Sequence, residues 1–226
     1  MRNTLLTTLL LLLAMPIYAA DSLFVHTPKV PILIDRADNI LFQMRIKANR
    51  GDVMNKIVVS FSEATDLSNI ASLRLYYSGQ EAPQRKGSHF TPTDEYIPTF
   101  IAGKGRRAEK SNSVLQTETS EIAQNTTLTS KQPLPIGINY FWVSIVMKPK
   151  TSLFEKISAT LTEALVNGSS VPVVGERALR YLGLGVKQGG DDNVMAYRIP
   201  AIAMTKKGTL IAVYDMGLSR QSHLDK

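Results

Sequence analysis

Arg198 is the residue with the clearest chemical potential in this 226-residue sequence. It stands in Ala196-Tyr197-Arg198-Ile199-Pro200-Ala201, and Lys207-Gly208-Thr209-Leu210-Ile211-Ala212-Val213-Tyr214-Asp215 follows shortly after. A guanidinium holds a carboxylate through two parallel hydrogen bonds and stays charged at every accessible pH. Ile199 and Pro200 stiffen the start of a strand there, and Pro200 withholds an N–H where no ladder bond is needed. The plainer reading of Arg198 is a solvated arginine at a strand start.

Other candidates are weaker. His26, His89 and His223 are far apart and lack the spacing of metal ligands. There is no cysteine, which removes thiolate nucleophiles, disulfide frameworks and Cys-based zinc sites. Gly183-Leu184-Gly185 follows a polar stretch rather than joining a strand to a helix, so it does not read as a dinucleotide loop. Trp142, Tyr140, Tyr76 and Tyr77 could stack on sugar rings, but aromatic residues on a central strand belong more often to a core. Asn125-Thr126-Thr127 and Asn167-Gly168-Ser169 fit the glycosylation sequon, which matters only in a eukaryotic secretory route. No residue set calls for a cofactor or a metal.

The elements that must position these residues are read from apolar patterning. Arg2, the apolar run Leu5 to Met15 and the small residues Ala19-Ala20 form a signal peptide over residues 1–20, cleaved after Ala19 or Ala20. The mature chain is therefore expected in the periplasm or outside the cell, with no membrane span after cleavage. Export makes nucleic acid an improbable partner for the net charge of +7, whose basic residues are scattered over loop-like stretches.

Strand periodicity then dominates. Ile40, Phe42, Met44 and Ile46 share one parity over Asn39 to Lys47, and Lys56 to Phe61 and Ile70 to Tyr77 follow, with Leu73, Leu75 and Tyr77 on one face. Gly79 to Ser113 is broken by proline and glycine. Gly137 to Met147 is apolar on both faces, as a central strand covered on both sides would be. Phe154 to Leu165 carries a four-residue spacing that tempts a helix. Alternation through Ile157, Ala159, Leu161 and Glu163, together with Thr160 and Thr162, favours a strand. About eight strands joined by polar turns, Asn167-Gly168 among them, predict a jelly-roll or β-sandwich over residues 21–174. A linker over 175–192, which contains the basic Arg180, precedes a second unit from 193 to 226.

The second unit carries a resemblance. Tyr197-Arg198-Ile199-Pro200 with Gly208-Thr209-Leu210 resembles the opening of the bacterial sialidase propeller. Pro31 to Ile34, Leu75 to Gly79, Gly137 to Ser144 and Gly189 to Asn193 resemble the leading domain and junction of exported Bacteroidetes-type sialidases. The likeness spans nearly all of residues 22–213. It implies an all-β chain in which a jelly-roll or β-sandwich domain precedes the first strands of an incomplete six-bladed β-propeller. It also implies exo-α-sialidase activity, the hydrolysis of terminal sialic acids from glycoproteins, glycolipids and oligosaccharides through a tyrosyl intermediate.

By that resemblance Arg198 is the first of three arginines that bind the sialic-acid carboxylate. The other two, the nucleophilic tyrosine and its partner glutamate come from later blades, so Tyr197 is not the nucleophile. Asp215 matches a strand-end aspartate and not the acid/base. Gly217-Leu218-Ser219-Arg220 looks like the family's second strand with the loop before it skipped. The stretch to Lys226 is thus expected to be inactive by itself. The alternatives are a non-enzymatic sialoglycan-binding module and a structural β-sandwich.

Overall fold

The computed structural model describes residues 22–80, 113–187, 192, 194 and 196–217. In chain order the strands are β1 (Leu23–His26), β2 (Ile32–Leu33), β3 (Asn39–Ala48), β4 (Val53–Phe61), β5 (Ile70–Gly79), β6 (Val114–Thr119) and β7 (Asn125–Pro133). They continue with β8 (Gly137–Met147), β9 (Lys156–Val166), β10 (Ser169–Ser170), β11 (Val173–Gly175), β12 (Ala178–Gly183), β13 (Ala196–Met204) and β14 (Leu210–Gly217). A 3-10 turn, Leu67–Asn69, is capped by the Asp66 carboxylate, which accepts from Ser68 N. Among the described residues no helix is long and apolar enough to cross a membrane.

Two six-stranded sheets make the leading domain. One runs β11-β1-β3-β8-β5-β6, and the other β2-β12-β9-β4-β7 with β10 on the side of β9. Their inner faces share one apolar core, in which Phe42, Ile46, Leu73, Leu75, Val143 and Ile145 from the first sheet meet Ile57, Val59, Leu128, Ile157, Leu161 and Ala164 from the second. This is a β-sandwich, as the alternation predicts. There are more strands than the eight expected, because short edge pieces of two to four residues complete each sheet. Two edge pairings, β1 with β11 and β12 with β2, are parallel. Strand β8 is central in its sheet, and Phe154 to Leu165 is strand rather than helix.

Two bulges explain where strict alternation fails. The register of β3 against β8 slips between Ile40 and Phe42. Leu41 and Phe42 both turn inward and Ile40, expected on the core parity, is only half-buried. On β9 the register slips opposite Val58 and Val59. Glu163 therefore leaves the inner parity and its carboxylate meets Lys56 Nζ at 3.2 Å, while Ala164 takes the core position.

The turn between β9 and β10 is built by Asn167 and Gly168, both at positive φ (53° and 74°). That pair of conformations makes the tight hairpin turn whose twist suits the flanking strands. Asn167 also donates through Nδ2 to Asp52 Oδ1 at 2.8 Å and accepts from Val53 N at 2.9 Å.

The stretch expected as a linker contributes to the sandwich. Strand β12 pairs with β9 and with β2, so the domain's strands run to Gly183. Arg180, expected as a linker residue, is 3% exposed instead. Its Nε donates to Val30 O at 2.5 Å and its Nη1 to Ile40 O at 3.0 Å. It thereby ties β12 of one sheet to the bulge on β3 of the other. Burial pushes its pKa down to about 10.

Candidate functional site

The hairpin that bears Arg198 forms because its turn and its bulge match the residues present. Gly208 has φ +81°, open to glycine without strain, and its N–H donates to Thr205 O at 2.9 Å. Thr205 N reaches back to Thr209 O at 2.9 Å, closing the loop between β13 and β14. The ladder pairs Arg198 with Asp215 and Ala201 with Val213, so Ile199 and Pro200 bulge opposite Tyr214. A proline has no N–H to lose at a bulge, which explains the Ile-Pro pair at this point.

Tyr197 and Arg198 point to opposite sides of the ribbon, by the period of two. On one side the Tyr197 ring meets Tyr214 edge-on at 5.0 Å, and its hydroxyl donates to Asp192 Oδ2 at 3.4 Å. Asp192 also accepts from Lys187 Nζ, a bond that holds the ammonium pKa above its ordinary value. Asp192 thus links the end of the sandwich to the start of the hairpin. On the other side Arg198 is exposed. Among the described residues no hydrogen bond or ion pair engages its guanidinium. Asp215, its ladder neighbour, lies within β14, which continues to Gly217. A guanidinium without a protein partner is equipped to bind an anion supplied from outside.

The aromatic residues that could have formed a sugar platform are mostly committed elsewhere. Tyr77 packs on the core beside Phe141, ring centroids 4.9 Å apart. Trp142 is 4% exposed and Tyr76 stacks on its indole. Beside that stack lies a polar network that sequence reading missed, because its members come from four distant segments. Asp38 Oδ1 accepts from Arg74 Nη1 at 3.0 Å, from Ser144 Oγ at 3.0 Å and from Tyr76 Oη at 3.3 Å. Glu118 Oε1 accepts from Ser72 Oγ at 2.8 Å and from Arg74 Nε at 2.9 Å. The Ser72 hydroxyl and then the Arg74 guanidinium hold the Glu118 carboxyl below its ordinary value. Against an opposing desolvation, Glu118 and Asp38 hold Arg74 above its own.

Gln43, directly across the ladder from Trp142 and from His26, is 6% exposed, and among the described residues neither amide atom has a hydrogen-bond partner. Among the described residues no cluster of three or more His, Cys, Asp or Glu could hold a metal. Residues 1–20, expected as a signal peptide, and His89 and His223 lie outside the described residues.

The described strands define an all-β sandwich followed in sequence by a two-stranded hairpin that carries an exposed arginine. Residues 20–170 match the family described as the N-terminal domain of BNR-repeat neuraminidase, and the chain belongs to that family. It is 40% identical over 223 residues to a sialidase of Bacteroides fragilis (strain YCH46), covering 95% of this chain and 41% of that protein. It also superimposes on the Hadza microbial sialidase Hz136 with a TM-score of 0.69 at 43% identity, covering 86% of this chain and 38% of that one. The chain therefore spans about two-fifths of the length of these relatives.

Proposed function

We propose that this chain is the leading part of an exported exo-α-sialidase, which hydrolyses terminal sialic acids from glycoconjugates and binds their carboxylate with Arg198. The observation that carries the reading is Arg198 on β13, exposed, next to the bulge at Ile199 and Pro200, and with no hydrogen bond or ion pair among the described residues. Family membership and the two sialidase relatives support it. Sialic acid carries a carboxylate on its anomeric carbon, the group a planar guanidinium grips in two-point fashion. The β13–β14 hairpin is then the opening of the catalytic propeller, and the remaining catalytic groups belong to later blades. Arg2, the apolar run Leu5 to Met15 and the small residues Ala19-Ala20 support export to the periplasm or outside the cell.

The test uses two proteins. Residues 21–226 alone should release no sialic acid from a fluorogenic sialoside, since the nucleophilic tyrosine, its partner glutamate and the other two arginines belong to later blades. Residues 1–213 joined to the remaining blades of the Bacteroides fragilis sialidase should hydrolyse it. A folded chimera without activity would sink the reading.

A further inference from the structure

The second sheet's outer face is polar over most of its width, with Lys56, Ser60, Thr127, Thr129 and Thr162 turned towards solvent. One end departs from this. On β12 the inner residues Ala178, Arg180 and Leu182 alternate with Leu179 and Tyr181, which face outward, and Tyr181 is 58% exposed. Just past the strand Leu184 is 56% exposed. The ladder pairs Tyr181 with Lys156, so residues before Lys156 and after Tyr181 lie at the same end of the sheet. Those before it include Leu153, 44% exposed, and Phe154, 95% exposed. Lys156 Nζ sits 5.0 Å from the Tyr181 ring centroid and holds that ring in place.

Four large apolar side chains exposed at one end of a sheet, one of them a phenyl ring, mark a contact surface rather than scattered exposure. What covers it is indicated by the chain itself. Strand β12 ends at Gly183, at this same end, and a short connection leads to β13. The hairpin in turn exposes Ile202, Met204, Leu210, Val213 and Met216, an apolar load that a two-stranded ribbon cannot bury alone. In the Bacteroides fragilis relative more than half the protein lies outside the matched region.

We propose that Leu153, Phe154, Tyr181 and Leu184 form the surface by which the sandwich docks on the unit that β13 and β14 open, within one polypeptide. This rests on the reading that a propeller follows the hairpin. The docked sandwich is then held in one orientation beside the propeller instead of swinging on its connection.

The absence of cysteine gives a direct test. Phe154→Cys introduces a single thiol, and Thr129→Cys places one on the polar part of the same sheet as a control. Each is made in residues 21–226 and in the chimera with the remaining Bacteroides fragilis blades, whose own cysteines are replaced. Thiol reactivity follows access. The thiol at 154 should react at least about tenfold more slowly in the chimera, while that at 129 reacts equally in both. Equal rates at 154 overturn the proposal. So does concentration-dependent protection within residues 21–226 alone, which would assign the surface to a second copy. Hydrolysis without protection sinks the docking alone, whereas protection without hydrolysis sinks the sialidase reading alone. Cysteines at the aligned positions of full-length Bacteroides fragilis sialidase repeat the measurement in an uninterrupted natural chain, and equal rates there overturn the proposal as well.

Discussion

The Trp142 indole lies parallel to the Tyr76 ring, with centroids 4.1 Å apart and planes 8° from parallel. The two face each other across the β5–β8 ladder on the side of the sheet away from the main core. Tyr76 is itself held by its hydroxyl bond to Asp38. The stack is therefore a second, smaller packing centre and not a bare sugar platform.

Trp142 is the chain's only tryptophan, so its emission reports this site alone. Native protein should emit at short wavelength and shift to the red on urea unfolding, in step with far-ultraviolet dichroism. Trp142→Ala should destabilise the domain by about 3–5 kcal/mol. Tyr76→Phe, which keeps the stack and loses one hydrogen bond, should cost about 1 kcal/mol. An already red native spectrum, or a Trp142→Ala variant of parental stability, contradicts the packing role.

Glu118 sets an acid-side dependence. Its carboxyl is lowered in the folded state, first by Ser72 and then by Arg74. A lowered folded pKa means the unfolded chain binds the proton more readily. Its stabilising contribution is then complete above the unfolded glutamate value of about 4.3 and is lost as pH falls through the folded value. Glu118→Gln should leave less stability to lose over that window, so its urea midpoint should fall less steeply with acid than the parent's. The contribution is modest because the side chain is 41% exposed. Parallel midpoint-against-pH curves for the two proteins would refute the assignment.

Much of this architecture was legible because strand alternation is local. Leu73, Leu75 and Tyr77 share a face as their spacing says, and Asn167-Gly168 turns as its composition says. The misreadings have one physical origin each. Ile40 leaves the parity of Phe42, Met44 and Ile46, and Glu163 that of Ile157, Ala159 and Leu161, because a bulge shifts parity without leaving a sequence mark. Arg180 reads as a linker residue because Leu179 and Tyr181, the outward positions, are as apolar as the inward ones. Its alternation with Ala178 and Leu182 was the available signal. The Asp38–Arg74–Glu118 network had none, since only the fold brings those segments together.

Arg180 is the strongest stability prediction outside the core. Its guanidinium is buried against two carbonyls, and burial lowers its pKa to about 10. Arg180→Ala strips both carbonyls of their donor and leaves a cavity between the sheets, which should cost about 2–4 kcal/mol. Arg180→Met fills the space without a charge to desolvate, and should cost less than the alanine variant. Urea unfolding of residues 21–226 measures both. An alanine variant within about 0.5 kcal/mol of the parent would place Arg180 among ordinary surface residues.

Arg198 is tested in the chimera that restores the propeller. Arg198→Ala removes a two-point, charge-assisted contact to the substrate carboxylate and should cost about 2–4 kcal/mol of transition-state binding. That is roughly a thirtyfold to thousandfold loss in kcat/KM. Arg198→Lys keeps the charge but not the planar fork, and should also be impaired. Arg180 cannot serve as the comparison residue, because its loss would unsettle the sandwich. Lys207, exposed in the turn between β13 and β14, can do so. Lys207→Ala should leave kcat/KM near the parental value, which separates carboxylate recognition from a general loss of positive charge at the hairpin. All variants should melt with the parent, since the Arg198 side chain is exposed and bonded to nothing else in the described structure. If Arg198→Ala retains near-parental kcat/KM, the hairpin arginine is a solvated residue and the proposed carboxylate site is not there.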